Sequence, residues 1–475
     1  MTLTVLRGEN LVNFLHESKI NAPRNVVWEW HNQEGAFDRL TPPWENLESI
    51  SAPEDLSPGG TRIIKMKVGP IKMKWVAEHT DLIEGELFAD RMVRGPFKRW
   101  WHTHRFIEHG KEVTIVRDEV SYDIPFGFLG RLFGGRYVRK MIDNMFTSRS
   151  ISLQRDIKRH QSFSGLPRKR ILVSGASGLI GSHLIPFLDT GGHELIQLVR
   201  REPTNENQRY WNPANGELDP TLFDGIDAVI HLGGVGIGDK RWTKKRKESI
   251  LNSRKDSVTL LSETIASLDE KPEVFIVASA IGIYGNRGDE DIDENSTYGE
   301  GFLTDTAMVW ESSADASRAA GIRTIHLRSG IVLNPKGGAL GRMLFPFKMG
   351  AGGPIGSGKQ WMSWISMDDH IAAIQHLMMT PQCDGAYNLT APNPVRQKSF
   401  AKTLGRVLRR PAFAPLPGFV LRILFGELAR PLLLEGQKVY PRRLLESGFE
   451  FEHQNLEDAL RDSLGKWKKN NSGQA

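Results

Sequence analysis

A glycine-rich turn between a buried strand and a helix is the feature of this sequence that most restricts its fold. The segment KRILVSGASGLIGSHLIPFLDTGGHELIQLV predicts a strand at residues 171–173, a turn, a helix and a second strand. Gly175, Gly178 and Gly181 lie in that turn at G-x-x-G-x-x-G spacing, and the helix begins inside it. Glycine permits a sharp turn and a close approach of main chain to a pyrophosphate, while a helix N-terminus offers unpaired amides to phosphate. The segment therefore predicts a dinucleotide-binding β-α-β unit.

The end of the second strand bears on the choice of dinucleotide. ELIQLV is followed by Arg200 and Arg201, where a site for NAD usually has an acidic residue for the ribose 2′-hydroxyl. Arginine suits a 2′-phosphate, so we expect NADP(H) to be preferred and NAD(H) to be possible, the alternative being an exposed charged turn. A further buried strand at 228–232 ends in two glycines that let the chain pass close to the nucleotide. The predicted cofactor-binding residues are Gly175, Ser177, Gly178, Leu179, Ile180, Gly181, Arg200, Arg201, Leu232, Gly233 and Gly234.

The hydrophobic pattern of the sequence changes near residue 165. Before it, runs such as TRIIKMKVG and EVTIVRDEVSYDIP alternate apolar and polar residues, as an antiparallel sheet requires. A long amphipathic helix follows, with Val138, Met141, Ile142, Met145 and Phe146 on one stripe. We predict an α+β domain at 1–160, a linker at 161–169, and an α/β domain at 170–475 whose C-terminal substrate subdomain lies mainly at 385–475. The α/β domain is expected to have a Rossmann-type doubly wound parallel sheet.

Composition excludes several classes of protein. The 475 residues include 62 basic and 56 acidic ones, and a net charge of +6 does not indicate a nucleic-acid partner. A single cysteine, Cys383, excludes an internal disulfide and suits a reducing cytoplasm, which is the expected location. No signal peptide is evident, and charged residues interrupt the apolar stretch GFVLRILFGELARPLLL, so no membrane span is expected.

The first domain resembles the SRPBCC superfamily of helix-grip domains, which includes START proteins and polyketide cyclases. The segment FLHESKINAPRNVVWEWHNQ, the LTPPW turn and the order of sheet then long helix carry this resemblance. It implies a cavity for a small apolar ligand, although the candidate lining residues can equally be ordinary core and surface aromatics. Those residues are Trp28, Trp30, Trp75, Trp100 and Trp101.

Two histidines of the first domain share one face of a predicted strand. His102 and His104 are two residues apart and can point to the same side of the sheet. The sequence shows no obvious carboxylate or cysteine partner for them, so it predicts no metal site.

The second domain resembles the extended short-chain dehydrogenases, and within them the YfcH-type epimerases that are often called nucleoside-diphosphate sugar epimerases or the SulA family. VIHLGGVGIGDKRWT, VASAIGIYG, HLRSGIVLNPKGGAL and GSGKQWMSWISMDDHIAAI carry the resemblance. It implies that Ser279 binds substrate near the hydride-transfer carbon and that Tyr284 faces the substrate pocket, the alternatives being a strand-end serine and a packed aromatic. The usual catalytic tyrosine and lysine are replaced by Leu303 and Ala307. Tyr298 lies close but is followed four residues later by Phe302 rather than lysine.

Two functions stay open on the sequence alone. One is an NADP(H)-dependent epimerase or oxidoreductase with an atypical proton relay, in which Ser279 and Tyr284 are the predicted catalytic residues. Its small-molecule substrate is then a nucleotide sugar or a small carbonyl compound. The arginines available to meet a diphosphate are Arg396, Arg409, Arg410, Arg442 and Arg443. The other is a non-catalytic NADP(H)-binding protein that couples cofactor state to binding of a small apolar ligand or a protein partner.

Overall fold

The computed structural model describes residues 11–53, 55–68, 71–125 and 127–468, which form two compact units. The first unit extends to Gly165 and includes Asp189–Gly192 and the chain from Trp467; the second comprises Leu166–Leu188 and His193–Lys466. None of the helices in the described part of the chain combines the length and hydrophobicity that crossing a membrane requires.

The first unit is an antiparallel sheet with one long helix. Its strands pair in the order β1-β7-β6-β5-β4-β3-β2. The elements are β1 (Val12–Ile20), α1 (Arg24–Asn32), α2 (Ala36–Leu40), β2 (Glu48–Ser51), β3 (Thr61–Val68), β4 (Ile71–Ile83), β5 (Leu87–Arg94), β6 (Arg99–Glu108), β7 (Thr114–Asp123) and α3 (Gly127–Gln161).

Alternation along the strands decides which side chains enter the core of this unit. In β6, every second residue from Trp100 to Phe106 is buried, whereas Trp101 is only half-buried between them. Ile142 and Phe146 from the predicted stripe of α3 are buried against Phe14 and Tyr122. Trp28, Trp30 and Trp100 are likewise core residues. The helix-grip prediction is confirmed.

The second unit is a parallel sheet with helices between its strands. Its elements are β8 (Arg170–Ser174), α4 (Gly181–Thr190), β9 (Glu194–Val199), β10 (Gln208–Tyr210), β11 (Ala228–His231), α5 (Lys244–Ser267), β12 (Val274–Ala280), β13 (Asp291–Ile292), α6 (Phe302–Ser312), α7 (Asp315–Ala319), β14 (Arg323–Ser329), β15 (Ile331–Leu333), α8 (Gly338–Lys348), β16 (Trp361–Met362), β17 (Trp364–Ser366), α9 (Met367–Met379), β18 (Gly385–Leu389), β19 (Val395–Arg396), α10 (Gln397–Leu408), α11 (Gly418–Phe425), β20 (Lys438–Val439), α12 (Arg442–Glu446) and α13 (Leu456–Ser463).

The strand order of the second unit locates its binding edge. The sheet runs β10-β9-β8-β11-β12-β14-β18, so the chain reverses direction across the sheet between β8 and β11. Strands such as β12 are buried almost throughout, as expected for a parallel sheet covered on both faces. Ligands of such sheets bind at the carboxyl ends of the strands beside this reversal. The Rossmann-type prediction is confirmed.

Candidate functional site

The glycine loop after β8 packs its main chain against the main chain of the loop after β11, at the place where the strand order reverses. Gly175 follows β8 with φ of 80°, and a Cβ there would lie 2.8 Å from both the nitrogen of Gly233 and the carbonyl carbon of Leu232. The loops after β8 and β11 therefore approach each other more closely than any side chain allows. At Gly181 an added Cβ would lie 2.7 Å from Cα of Ala176, so the start of α4 is equally tight.

The amides that lead into α4 are free to bind an anion. Gly178 donates to the Gly175 carbonyl over 3.0 Å, which shapes the turn, and Ser177 and Gly178 are exposed. Within the described residues, no acceptor takes the amide hydrogens of Leu179 and Ile180. Unpaired amides at a helix N-terminus form a phosphate site, so this loop fits the pyrophosphate of a dinucleotide.

The neutral side chain of His231 bridges the ends of β8 and β11 and helix α5 by hydrogen bonds. His231 ends β11, and its Nδ1 and Nε2 lie 2.5 Å from Oγ of Ser174 and 3.0 Å from Oγ of Ser257. Burial and the nearby Arg254 lower the pKa of His231 to about 3, so the ring stays uncharged. The loop after β8, the loop after β11 and helix α5 are thereby tied together.

A buried cation, Arg254, lies beside Gly234 in the loop after β11 and is not among the residues predicted from the sequence. The Arg254 guanidinium donates to the carbonyls of Val235 and Ile250, both over 3.0 Å, and lies over the Trp310 ring. Burial, followed by the positive charge of Arg246, lowers the pKa of Arg254 to about 10. The guanidinium lies against the loop after β11, since a Cβ added at Gly234 would be 3.2 Å from Cζ of Arg254. The signal was available, because this arginine interrupts the apolar stripe of α5.

The two arginines after β9 are exposed, as a 2′-phosphate site requires. Arg201 donates to Oγ1 of Thr204 over 3.2 Å. No hydrogen bond or ion pair involves the Arg200 side chain within the part of the chain that the structure describes. Arg200 is therefore available to a ligand, whereas Arg201 must give up a weak local contact.

A row of polar side chains crosses three neighbouring strands at the same edge of the sheet. Ser279 on β12 is in register with Arg328 on β14, and Arg328 is in register with Asn388 on β18. Glu311 of α6 joins the row, accepting from Ser279 over 2.7 Å and from Arg328 over 2.9 and 2.8 Å. Burial alone would raise the pKa of Glu311, but the hydrogen bonds and charge of Arg328 outweigh burial and keep the pKa below its usual value.

Two tyrosines share the Arg328 guanidinium but differ in access. Tyr284 is fully buried; its hydroxyl donates to Asn388 over 2.8 Å and accepts from Arg328 over 2.9 Å. Burial raises the pKa of Tyr284 to about 12. Tyr298 is 47% exposed, and its hydroxyl accepts from Arg328 over 3.2 Å. The tyrosine that faces solvent is therefore Tyr298, which precedes α6 and has the Arg328 guanidinium beside its hydroxyl.

The positions of the usual tyrosine and lysine are structural in this chain. Ala307 is buried in a cluster with Ile281, Ile283 and Tyr284, and Leu303 packs against the cluster around Trp242. Side chains of the basic run at 240–247 also bond to other residues of the second unit. Arg241 donates to the carbonyl of Leu424 over 2.9 Å.

A cleft of about 590 Å³ lies in the second unit, and its lining includes Asn286, Trp361 and Gly436. Basic side chains in its lining are Lys359, Arg396 and Lys398, and the Arg396 guanidinium lies 4.0 Å above the Trp361 ring. Arg396 also donates to the Lys359 carbonyl and pairs with Asp289, whereas the other candidate arginines do not line the cleft. Arg409 ends α10 in a left-handed conformation, and the remaining three bond local carbonyls or carboxylates: Arg410 to Lys348, Arg442 to Asp293 and Arg443 to Ala386.

The reversal point, the glycine loops and the free amides define a Rossmann-type dinucleotide-binding protein. Residues 171–390 match the family model described as the NAD dependent epimerase/dehydratase family. Residues 20–146 match polyketide cyclase / dehydrase and lipid transport, and residues 416–463 match a domain of unknown function, DUF1731. The epimerase family protein Mb2239 of Mycobacterium bovis is 40% identical over 290 residues, which cover 61% of this chain and 96% of the relative. The chain belongs to the NAD-dependent epimerase/dehydratase family.

Two solved structures extend the comparison. A nucleoside-diphosphate sugar epimerase from Corynebacterium glutamicum is similar over 95% of this chain and 90% of its own, with 31% identity and a TM-score of 0.79. The human epimerase family protein SDR39U1, solved with NADPH, is 34% identical and covers 62% of this chain and 98% of its own, with a TM-score of 0.56. The likeness to the first of these includes both units.

Proposed function

We propose that this chain is an NADP(H)-dependent epimerase or oxidoreductase whose proton relay does not use a tyrosine-lysine pair. The observation that carries the proposal is the row of Ser279, Arg328 and Asn388 at the edge of the sheet where the glycine loops lie. A bound nicotinamide dinucleotide supplies hydride chemistry. The side chains of the row then have to bind the reacting oxygen and move its proton.

The preference for a phosphorylated dinucleotide rests on Arg200. Its exposed side chain follows β9, where the adenosine ribose of a Rossmann dinucleotide lies. The relative solved with NADPH is consistent with this preference. A hydrogen bond to a charged group is worth about 1.5–3 kcal/mol, so Arg200→Ala should weaken NADPH binding by roughly 10- to 100-fold.

A comparison of the two cofactors isolates that contribution. NADH lacks the 2′-phosphate, so Arg200→Ala should leave its affinity within about twofold, as measured by calorimetry on the full chain. Arg209→Ala is the matched control, because Arg209 lies on the next strand and bonds carbonyls of its own segment. Equal losses for NADH and NADPH would contradict the assignment.

For the relay, we propose that the Tyr298 hydroxyl exchanges a proton with the substrate. Arg328, itself held by Glu311, keeps that hydroxyl in position. Tyr298 is the tyrosine of the pair with an exposed side chain, and Arg328 bonds both its hydroxyl and the Glu311 carboxylate. Ser279 is placed one strand away and donates to Glu311 until a substrate oxygen takes its place. Tyr284, whose hydroxyl has a donor and an acceptor inside the core, would act through Arg328.

For the substrate, the charge of the cleft favours a phosphorylated compound. Lys359, Arg396 and Lys398 outnumber the acidic Asp289 and Glu435 in its lining, and Lys359 and Lys398 form no ion pair within the described residues. A nucleotide sugar has a diphosphate that such lysines can bind. A small carbonyl compound without phosphate is the alternative.

Turnover tests the proposal. The full chain is incubated with NADP⁺ and uridine- or guanosine-diphosphate sugars, and with NADPH and a panel of small carbonyl compounds. NMR follows new sugar epimers, and absorbance follows NADPH consumption. We expect a product with at least one nucleotide sugar. The outcome that counts against catalysis is saturable NADPH binding with no product in either assay.

That outcome would favour a second function, a non-catalytic NADP(H)-binding protein. Its specific support is the burial of Ala307 at the position of the usual lysine and the packing of Leu303 at that of the tyrosine. Such a protein would couple cofactor state to binding of a small apolar ligand or a protein partner. Its binding of either should change measurably between the NADPH-saturated and cofactor-free chain.

A further inference from the structure

Four polar side chains face one another on the inner side of the antiparallel sheet. Asp90 of β5 is in register with His102 of β6, and His104 of β6 is in register with Asp118 of β7. Both histidines lie on the buried face of β6, as their spacing predicted, with ring centroids 3.8 Å apart. The sequence shows no carboxylate beside these histidines, but the sheet brings one from each neighbouring strand.

One of the two carboxylates binds both imidazoles from the same side. Oδ1 of Asp118 lies 3.0 Å from Nε2 of His102 and 2.8 Å from Nδ1 of His104. An ionised carboxylate only accepts hydrogen bonds, so each histidine must turn an N–H towards Asp118. This arrangement fixes the tautomer and orientation of both rings.

The other nitrogen of each ring faces the second carboxylate. Nδ1 of His102 lies 3.5 Å and Nε2 of His104 lies 3.9 Å from Oδ2 of Asp90, and the three atoms lie within 4.8 Å of one another. In neutral histidines oriented by Asp118, both nitrogens present lone pairs to a carboxylate oxygen. Three acceptors therefore converge, an arrangement that a bound metal ion would satisfy.

The spacing of these three atoms suits a transition metal. Zn²⁺ binds imidazole nitrogen and carboxylate oxygen at about 2.0–2.2 Å, so neighbouring ligands of a tetrahedral site lie roughly 3.4 Å apart. Metal-bound histidines commonly donate their other N–H to a carboxylate, which is the place that Asp118 occupies. Of the three converging side chains Asp90 is the most exposed, at 17%, so it marks the side open to solvent.

The local charge also favours a cation. The guanidinium of Arg149 on α3 interacts with both carboxylates and offsets one of their two charges. One negative charge is left for a ligand. The other histidines that interact electrostatically with the cluster are His16, His31 and His79.

We propose that Asp90, His102 and His104 bind a divalent transition-metal ion inside the first unit, with Asp118 orienting both histidines. The two nitrogens and one oxygen leave a fourth position for water. The same donors suit Zn²⁺ and Fe²⁺.

Metal uptake by the tag-free full chain tests the site. The chain is stripped with chelator, titrated with Zn²⁺ and, without oxygen, with Fe²⁺, and its metal content is measured by mass spectrometry. We expect one equivalent per chain for at least one ion. His102→Ala and Asp90→Asn should lose it, and Asp118→Asn should bind about 10- to 100-fold more weakly. His109→Ala is the control and should keep one equivalent, since this histidine is exposed in the turn after β6.

X-ray absorption of the metal-loaded wild-type chain needs no variant to fold. It should show two imidazoles and oxygen ligands at about 2.0–2.2 Å, without sulfur. No uptake of either ion, equal uptake by the ligand variants, or a sulfur ligand such as Cys383 would overturn the proposal.

Discussion

The close approach of the two glycine loops gives a sharp prediction for Gly175→Ala. The residue has φ of 80°, a conformation that costs an L-residue about 1–2 kcal/mol. The new Cβ would also lie 2.8 Å from two main-chain atoms, whereas ordinary contacts begin near 3.4 Å. Overpacking of this kind costs about 1–3 kcal/mol, and main chain cannot move aside as a flexible side chain can. The total is therefore about 2–5 kcal/mol.

This strain falls on the loops that bind the cofactor, so affinity should report it. We expect Gly175→Ala to weaken NADPH binding by at least tenfold, the equivalent of about 1.4 kcal/mol. Calorimetry on the full chain measures the affinity, and circular dichroism checks that the sheet is retained.

Gly216→Ala is a matched control for the backbone term alone. Gly216 has φ of 70°, but a Cβ there would meet nothing within 4 Å. This variant should lose some stability and keep NADPH affinity within about twofold. Wild-type NADPH affinity in Gly175→Ala would refute the assignment of this loop to the cofactor.

Two further predictions concern the relay and the response to acid. Tyr298→Phe should lower any turnover by about 100-fold or more. The control is Tyr210→Phe, a similarly exposed tyrosine whose loss should leave turnover unchanged. A loss confined to Tyr284→Phe would instead assign the acid to the buried tyrosine. Burial lowers the pKa of His231 to about 3 and that of His370 to about 4, so the unfolded chain takes up their protons first as pH falls below 6.5. Between pH 7 and pH 5.5 each histidine should lower the free energy of unfolding by about 1.2 kcal/mol, which urea unfolding measures. Identical urea midpoints at the two pH values would contradict this.

The parts of the fold set by local pattern could be predicted from sequence. The glycine spacing places Gly175 at the turn, and alternation places His102 and His104 on one face. Both follow from a short stretch of chain and the period of its own element.

Partners brought together by strand pairing could not be predicted. Asp118 meets His104 through the register of β6 and β7, and Asp90 meets His102 through that of β5 and β6. In the second unit, Tyr298 finds a cation in Arg328, thirty residues along the chain. Neither the register nor the parallel crossover is encoded by spacing, because each depends on how the whole sheet assembles.

Calorimetric titration of the purified full chain with NADPH and with NADH tests the proposed cofactor site most directly. The glycine loops, the free amides of Leu179 and Ile180, and the exposed Arg200 predict one site per chain that binds NADPH more tightly than NADH. A chain that is folded by circular dichroism and takes up neither dinucleotide would contradict it.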